Sequence, residues 1–188
     1  PTHDTESGKA LAPAERFSDY RNEEHPELYA VFPFRQFAVG KPNIELALNA
    51  LDERTVAKWK SYKGWKQTEL FMAYLGRASQ AQESITKRAS QRNRNYRCPA
   101  MWGPNFDWVP DQDHGGVLMK NAQSMLIQTD GREIHLLPAW PKNWDANFKL
   151  HAPYGTTVEA SVKDGEITDL KVTPESRRKD IIIHPAQN

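Results

Sequence analysis

The chain has a single cysteine, Cys98, among its 188 residues. An internal disulfide and a cysteine-cluster metal site are thereby excluded, and with them the stapled scaffolds of small secreted domains. No apolar run approaches the roughly 20 residues of a membrane-spanning helix. A dominant charge is also missing: 25 Lys and Arg face 24 Asp and Glu, for a formal net charge of +1. No global field therefore selects nucleic acid or a membrane surface as partner. The sequence carries no G-x-S-x-G elbow, P-loop or G-x-G-x-x-G, which removes the usual signals of serine hydrolases and nucleotide binding. Its six histidines, at 3, 25, 114, 135, 151 and 184, show neither H-x-H nor H-E-x-x-H spacing, so no zinc site is expected. His135, His151 and His184 fall in strand-like segments and are expected on sheet surfaces.

What is present is aromatic residues, helical stripes, and then a change of period. Six Trp, six Tyr and seven Phe suffice for a substantial core. Residues 1–24 are polar and read as a loosely held lead-in, followed by a buried irregular segment, "HPELYAVFPFRQFAVGKP". From Asn43, a good N-cap residue, Ile44, Ala47, Leu48, Leu51, Thr55 and Trp59 recur at helical spacing. Trp65, Thr68, Met72 and Leu75 form a second stripe, stopped by Gly76. A third helix is expected over about Ala78–Ser90, with Ala81, Ile85 and Ala89 inward. A fourth is expected over about Gly116–Gln128, with Leu118, Ala122, Met125 and Leu126 inward. Beyond residue 132 the segments are short and β-branched, and Asp164-Gly165 is a strong hairpin signal. Helices followed by strands predict an α + β chain in two units, divided at residues 1–130 and 131–188.

Between the third and fourth helices lies "PAMWGPNFDWVPDQDHGG", residues 99–116, without helical or strand period. A structureless connection of this length is usually functional or disordered, and its aromatic content argues against disorder. Trp102 and Trp108 offer flat apolar faces beside Asn105, Asp107, Asp111, Asp113 and His114. Such a set suits a sugar, which presents C–H faces to aromatic rings and hydroxyls to carboxylates and amides. A carboxylate in this loop can serve as nucleophile or general base in glycoside cleavage. Asp113 can equally cap the helix that follows, and Asp107, Asp111 and Asp113 lack the order of a calcium loop. The basic run from Lys87 to Arg97 reads as a solvated helix end, because no nucleic-acid motif accompanies it.

Three segments in order, "ELYAVFP" (27–33), "DQDHGG" (111–116) and "SMLIQTDGREIHLLPAWPKNW" (124–144), carry a resemblance. Together they are similar to the C-terminal part of glycoside hydrolase family 95, the α-L-fucosidase and α-L-galactosidase family, over most of residues 25–150. In that family an Asp-Gly-Asn-Phe-Gly motif opens a helix ending in M-L-L-Q-S, then come E-I-H-L-L-P and a β-domain. Ungapped alignment back from "MLIQ" places Asp113 on the family's general-base aspartate, where this chain reads Asp-His-Gly-Gly. The resemblance implies the last helices of an (α/α)6 six-hairpin barrel followed by a small antiparallel β-sandwich. It implies inverting hydrolysis with Asp113 as base, with Trp102, Asn105, Trp108, Asp111 and His114 lining the sugar site and Trp65 as a further binding candidate. It implies no cofactor or metal, a carbohydrate substrate, and action in the periplasm or outside the cell. The general acid would lie upstream of Pro1, so the isolated chain is expected to be inactive. A non-catalytic carbohydrate-binding or accessory module is the alternative that the same loop allows.

Overall fold

Four helices form where the apolar stripes predict them: α1 (Ile44–Val56), α2 (Thr68–Tyr74), α3 (Ala78–Ser90) and α4 (Asp113–Leu126). The structure is a computed structural model that describes residues 1–18, 24–56, 66–90 and 113–186, without the side chains of residues 54–56 and 113–114. Gly76 stops α2 as expected. At φ +73° it takes the left-handed position, the Arg77 amide donates to the Met72 carbonyl at 2.8 Å, and the Gly76 amide donates to Ala73 at 3.3 Å. That is the paired hydrogen-bond pattern of a Schellman end, which satisfies two carbonyls the helix leaves open. Asn43 departs from its expected role. It stands at φ +55°, not in extended capping backbone, a left-handed conformation that asparagine tolerates better than most residues.

The inward face of α3 is also corrected. Ala78, Ala81, Ser84, Ile85 and Arg88 are buried while Ala89 is exposed. A charged residue replaces an alanine on the buried stripe because a carboxylate on α2 waits for it. Arg88 thus leaves the solvated basic run in which the sequence placed it.

Strands enter earlier than the sequence predicts. Residues 1–24, read as a loose lead-in, contain an antiparallel hairpin of β1 (Thr2–Thr5) and β2 (Gly8–Leu11), with Thr2 opposite Leu11 and Thr5 opposite Gly8. Ala10 and Leu11 are buried, and Asn49 of α1 donates to the Lys9 carbonyl at 2.8 Å. The hairpin is too polar to announce itself and is held by α1. Likewise β3 (Ile127–Asp130) leaves α4 with no connecting residue and pairs antiparallel with β4 (Glu133–Leu136). The fourth helix therefore stops at Leu126, where ladder bonds to β4 replace the helical ones.

The remaining strands match expectation: β5 (Ala146–Ala152), β6 (Thr156–Lys163), β7 (Glu166–Thr173) and β8 (Ile181–Ile183). β5, β6 and β7 form an antiparallel meander, whose β6–β7 turn places Asp164 at φ +51° and Gly165 at φ +82°. Two successive positive φ values are what a two-residue turn needs to match strand twist. β8 pairs in parallel with β4, giving the order β3-β4-β8. The architecture is α + β, with helices and three small, mostly antiparallel sheets. One connected hydrophobic core runs from Leu28, Leu51 and Phe71 through Met125 and Leu136 to Val158 and Val162.

A guanidinium clasps the β-part together. Arg177, buried in the 3₁₀ turn before β8, donates from Nε to Thr156 Oγ1 and from Nη2 to the Arg132 carbonyl, both at 2.9 Å. Its Nη1 pairs with Asp180, and its guanidinium lies 5.3 Å from the Tyr154 ring centroid. Arg177→Ala removes three hydrogen bonds at once, although Asp180 keeps Arg132 Nη2 at 3.2 Å and the Thr156 hydroxyl keeps the Pro153 carbonyl at 2.9 Å. The expected cost is about 2–4 kcal/mol of unfolding free energy, as for breaking a buried hydrogen-bonded ion pair. A urea midpoint equal to that of the wild type would contradict this.

Candidate functional site

α4 sets the geometry of the candidate site. Asp113 occupies its first position and His114 its second, so the helix starts about three residues earlier than the sequence predicts. Backbone amides at a helix start point outward unpaired and carry partial positive charge, which favours an ionised carboxylate there. Gly115 and Gly116 fall in this first turn, and a Cβ at either would meet nothing within 4 Å. Close packing therefore does not explain the Gly-Gly pair. Of the other residues singled out from the sequence, Trp65, Trp102, Asn105, Trp108 and Asp111 lie outside the described residues, as do the side chains of Asp113 and His114.

Two turns into α4, Asn121 is fully buried and donates from Nδ2 to Glu69 Oε2 of α2 at 3.1 Å. The same oxygen accepts Arg88 Nη1 of α3 at 2.8 Å, and Ser84 Oγ donates to Glu69 Oε1 at 2.9 Å. Arg88 Nη1 also reaches the Lys66 carbonyl at 2.9 Å. One carboxylate thus ties three helices together. Glu69 and Arg88 are 2% and 0% exposed. At that depth the pair fixes how the helices sit more than it adds net stability, because desolvation cancels much of the attraction.

The "HPELY" segment also packs against α2. His25 and Glu27 are buried around the 3₁₀ turn Pro26–Leu28, with the His25 ring 5.9 Å from Phe71 of α2 and His25 Nδ1 3.8 Å from Glu27 Oε1. Tyr29 donates its hydroxyl to Glu24 Oε2 at 2.7 Å. That bond to a carboxylate, aided by burial, pushes the phenol up to about 12, so Tyr29 acts as a donor at any ordinary pH. The first and third segments that carry the resemblance both touch α2: the Phe32 ring meets Tyr74 edge-on with centroids 5.5 Å apart, and Gln128 Nε2 donates to the Ala73 carbonyl at 2.9 Å.

At the far end of α4 a second polar cluster corrects the sequence reading of His135. It is buried, not on a sheet surface, and its Nδ1 lies 2.9 Å from His184 Nε2 across the β4–β8 pair. The rings stack with centroids 5.2 Å apart. His151, by contrast, is exposed. Glu133 Oε2 approaches His135 Nε2 at 3.3 Å, and Arg35, buried beside Gln128, faces the pair. Burial first, then the Arg35 charge, holds both imidazoles below the ordinary histidine value. The Asp130 carboxylate is held below its usual range, chiefly by its bond to Lys41 and also by Arg35.

Because both histidines bind protons more weakly folded than unfolded, the unfolded chain takes up the extra protons as pH falls below about 6.5. Their contribution is complete above that value and is lost toward lower pH, with a slope of at most about 1.4 kcal/mol per pH unit for each proton. Urea midpoints at about pH 7.5 and 5.5 are expected to differ, the higher pH being more stable, and His184→Asn is expected to narrow that difference. A wild-type midpoint that stays constant across the interval would contradict it.

Sequence reasoning missed Glu69, Ser84, Arg88 and Asn121. The signal was available: each sits on the buried face of its helix among apolar neighbours, at a spacing that periodicity assigns to the core. Among the described residues, no group of three or more His, Cys, Asp or Glu is placed to hold a metal ion, and no helix is long and apolar enough to cross a membrane. Comparison with models of known protein families finds no match, and comparison with curated protein sequences finds none either.

Proposed function

We propose that this chain supplies the base side of a glycoside hydrolase active site, in the last helices of an (α/α)6 barrel that precede a small β-sandwich. The single observation behind this reading is the position of Asp113 in the first turn of α4, a helix whose middle is pinned to α2 and α3 through Asn121, Glu69 and Arg88. A base has to hold its water at a fixed distance from the sugar, and a helix locked by buried hydrogen bonds holds its own start in place. The helix terminus also favours the ionised carboxylate that a base requires.

In the inverting reaction a general acid protonates the leaving oxygen while Asp113 takes a proton from water as it attacks the anomeric carbon from the opposite face. The acid would come from hairpins upstream of Pro1. Trp102 and Trp108 would stack on the sugar, with Asn105, Asp111, His114 and Trp65 placing its hydroxyls, and the setting would be the periplasm or the cell exterior. The test is hydrolysis of aryl α-L-fucosides and α-L-galactosides by the protein that includes those hairpins, with Asp113 intact and replaced by Asn. Equal turnover by the two forms would reduce Asp113 to a helix cap.

A further inference from the structure

The geometry points to a second ligand site on this chain: a groove between α4 and the meander that takes an anionic sugar, a ring bearing a carboxylate or sulfate. It rests on the proposed function for its placement along a glycan, but not for its chemistry. The groove has a volume of about 280 Å³ and is bordered by Lys120 and Gln123 from α4, Thr129 from β3, and Lys149 and His151 from β5. Two lysines, a histidine, a glutamine and a threonine thus border it, and no described Asp or Glu lines it. That is a donor-rich border without a carboxylate of its own.

The surroundings do not neutralise it. Lys120 has no ion-pair partner among the described residues. Lys149 Nζ lies 3.6 Å from Glu159 Oε2, but the same carboxylate also faces Lys171 at 3.3 Å. Glu159 therefore divides its charge between Lys149 and Lys171, and Asp169, the other acidic residue on that face, is paired in register with Ser161, one step further along the strands from the groove. His151 engages Thr157 Oγ1 through Nδ1 at 3.2 Å, which leaves its second ring nitrogen free of that bond. Carboxylates and sulfates match such a set, since each oxygen accepts from several donors.

The placement connects the groove to the proposed catalytic end. Positions 113 and 120 are seven residues apart, within about 20° on the helix circumference and about 10 Å along its axis. The groove therefore continues the same side of α4 from which Asp113 starts. A ligand spanning both is an oligosaccharide with its acidic ring away from the scissile bond.

The test is calorimetric titration of the protein that includes the upstream hairpins, using three probes of equal length: an oligogalacturonate, a sulfated galactan oligosaccharide and a neutral galactan oligosaccharide. At least one acidic probe is expected to bind at least about tenfold more tightly than the neutral one, weakening with added salt because the site is exposed to water. Whichever acidic probe binds more tightly names the anionic group. Lys120→Gln with Lys149→Gln is expected to abolish that preference, while Lys9→Gln, exposed on the β1–β2 hairpin and outside the lining, leaves it in place. Equal binding of acidic and neutral probes, binding of neither acidic probe, or a preference that survives the double substitution would each overturn the site. Asp113→Asn separates the two claims: acid preference retained with turnover unchanged leaves the groove standing and removes the glycosidase reading.

Discussion

Asp113→Asn, in the protein that includes the upstream hairpins, is expected to lower glycoside turnover by about 10²–10⁴-fold, the usual contribution of a positioned general base. Substrate binding should stay near the wild-type level, because the proton is taken in the transition state and not in the ground-state complex. Asparagine is the informative replacement. It is close to aspartate in size and keeps a hydrogen-bonding side chain in the first turn, so a purely structural Asp113 would leave turnover unchanged. It cannot accept the proton of the attacking water, so a catalytic Asp113 would not. A fall in binding equal to the fall in turnover would place the residue in substrate recognition instead.

The second large effect is on folding. Glu69→Ala is expected to lower unfolding free energy by about 3–5 kcal/mol, the cost of leaving a buried cation without its counter-ion. Arg88 is fully buried, and among the described residues its Nε and Nη2 meet no hydrogen-bond partner. Removing Glu69 leaves Arg88 the Lys66 carbonyl but no counter-ion, and takes the acceptor from Asn121 Nδ2 and the Ser84 hydroxyl. For a domain with typically 5–15 kcal/mol in hand, this is a large share. Glu69→Leu combined with Arg88→Met should recover much of the loss, because an apolar pair of similar volume carries no desolvation cost. The two single losses would then sum to far more than the double loss, which urea unfolding of the three variants measures. Additive losses would mean that the two residues do not act as a pair.

Much of this architecture can be read from local chemistry. The bounds of α3, the Gly76 stop and the Asp164-Gly165 turn all follow from residues within a few positions of one another, so a single sequence carries them. What escapes is decided by partners far along the chain. Arg88 takes the buried place expected of Ala89 because Glu69, 19 residues away, accepts its hydrogen bond. His135 goes inside because His184, 49 residues on, receives it across a parallel strand pair. The β1–β2 hairpin is too short and polar to show a period, and α1 is what holds it. At the candidate site, the start of α4 at Asp113 could be approached from the sequence, since Asp before a helical stripe marks a helix start. The buried carboxylate behind it could not, because apolar periodicity is silent on which charged residues find partners.

The order of the β3-β4-β8 sheet bears on how the chain is made. The β5–β7 meander joins neighbours in sequence and can close as soon as it is synthesised. β4 is different: its second neighbour is β8, which is translated only after the whole meander. Until residues 181–183 leave the ribosome, the nascent chain displays Ile134–Leu136 with one edge bare, an invitation to pair with another chain. Slowing translation between β4 and β8, or truncating before Ile181, prolongs that exposure. Growing chains should therefore depend on chaperones over the interval that separates the two strands, after the meander's own contacts are in place.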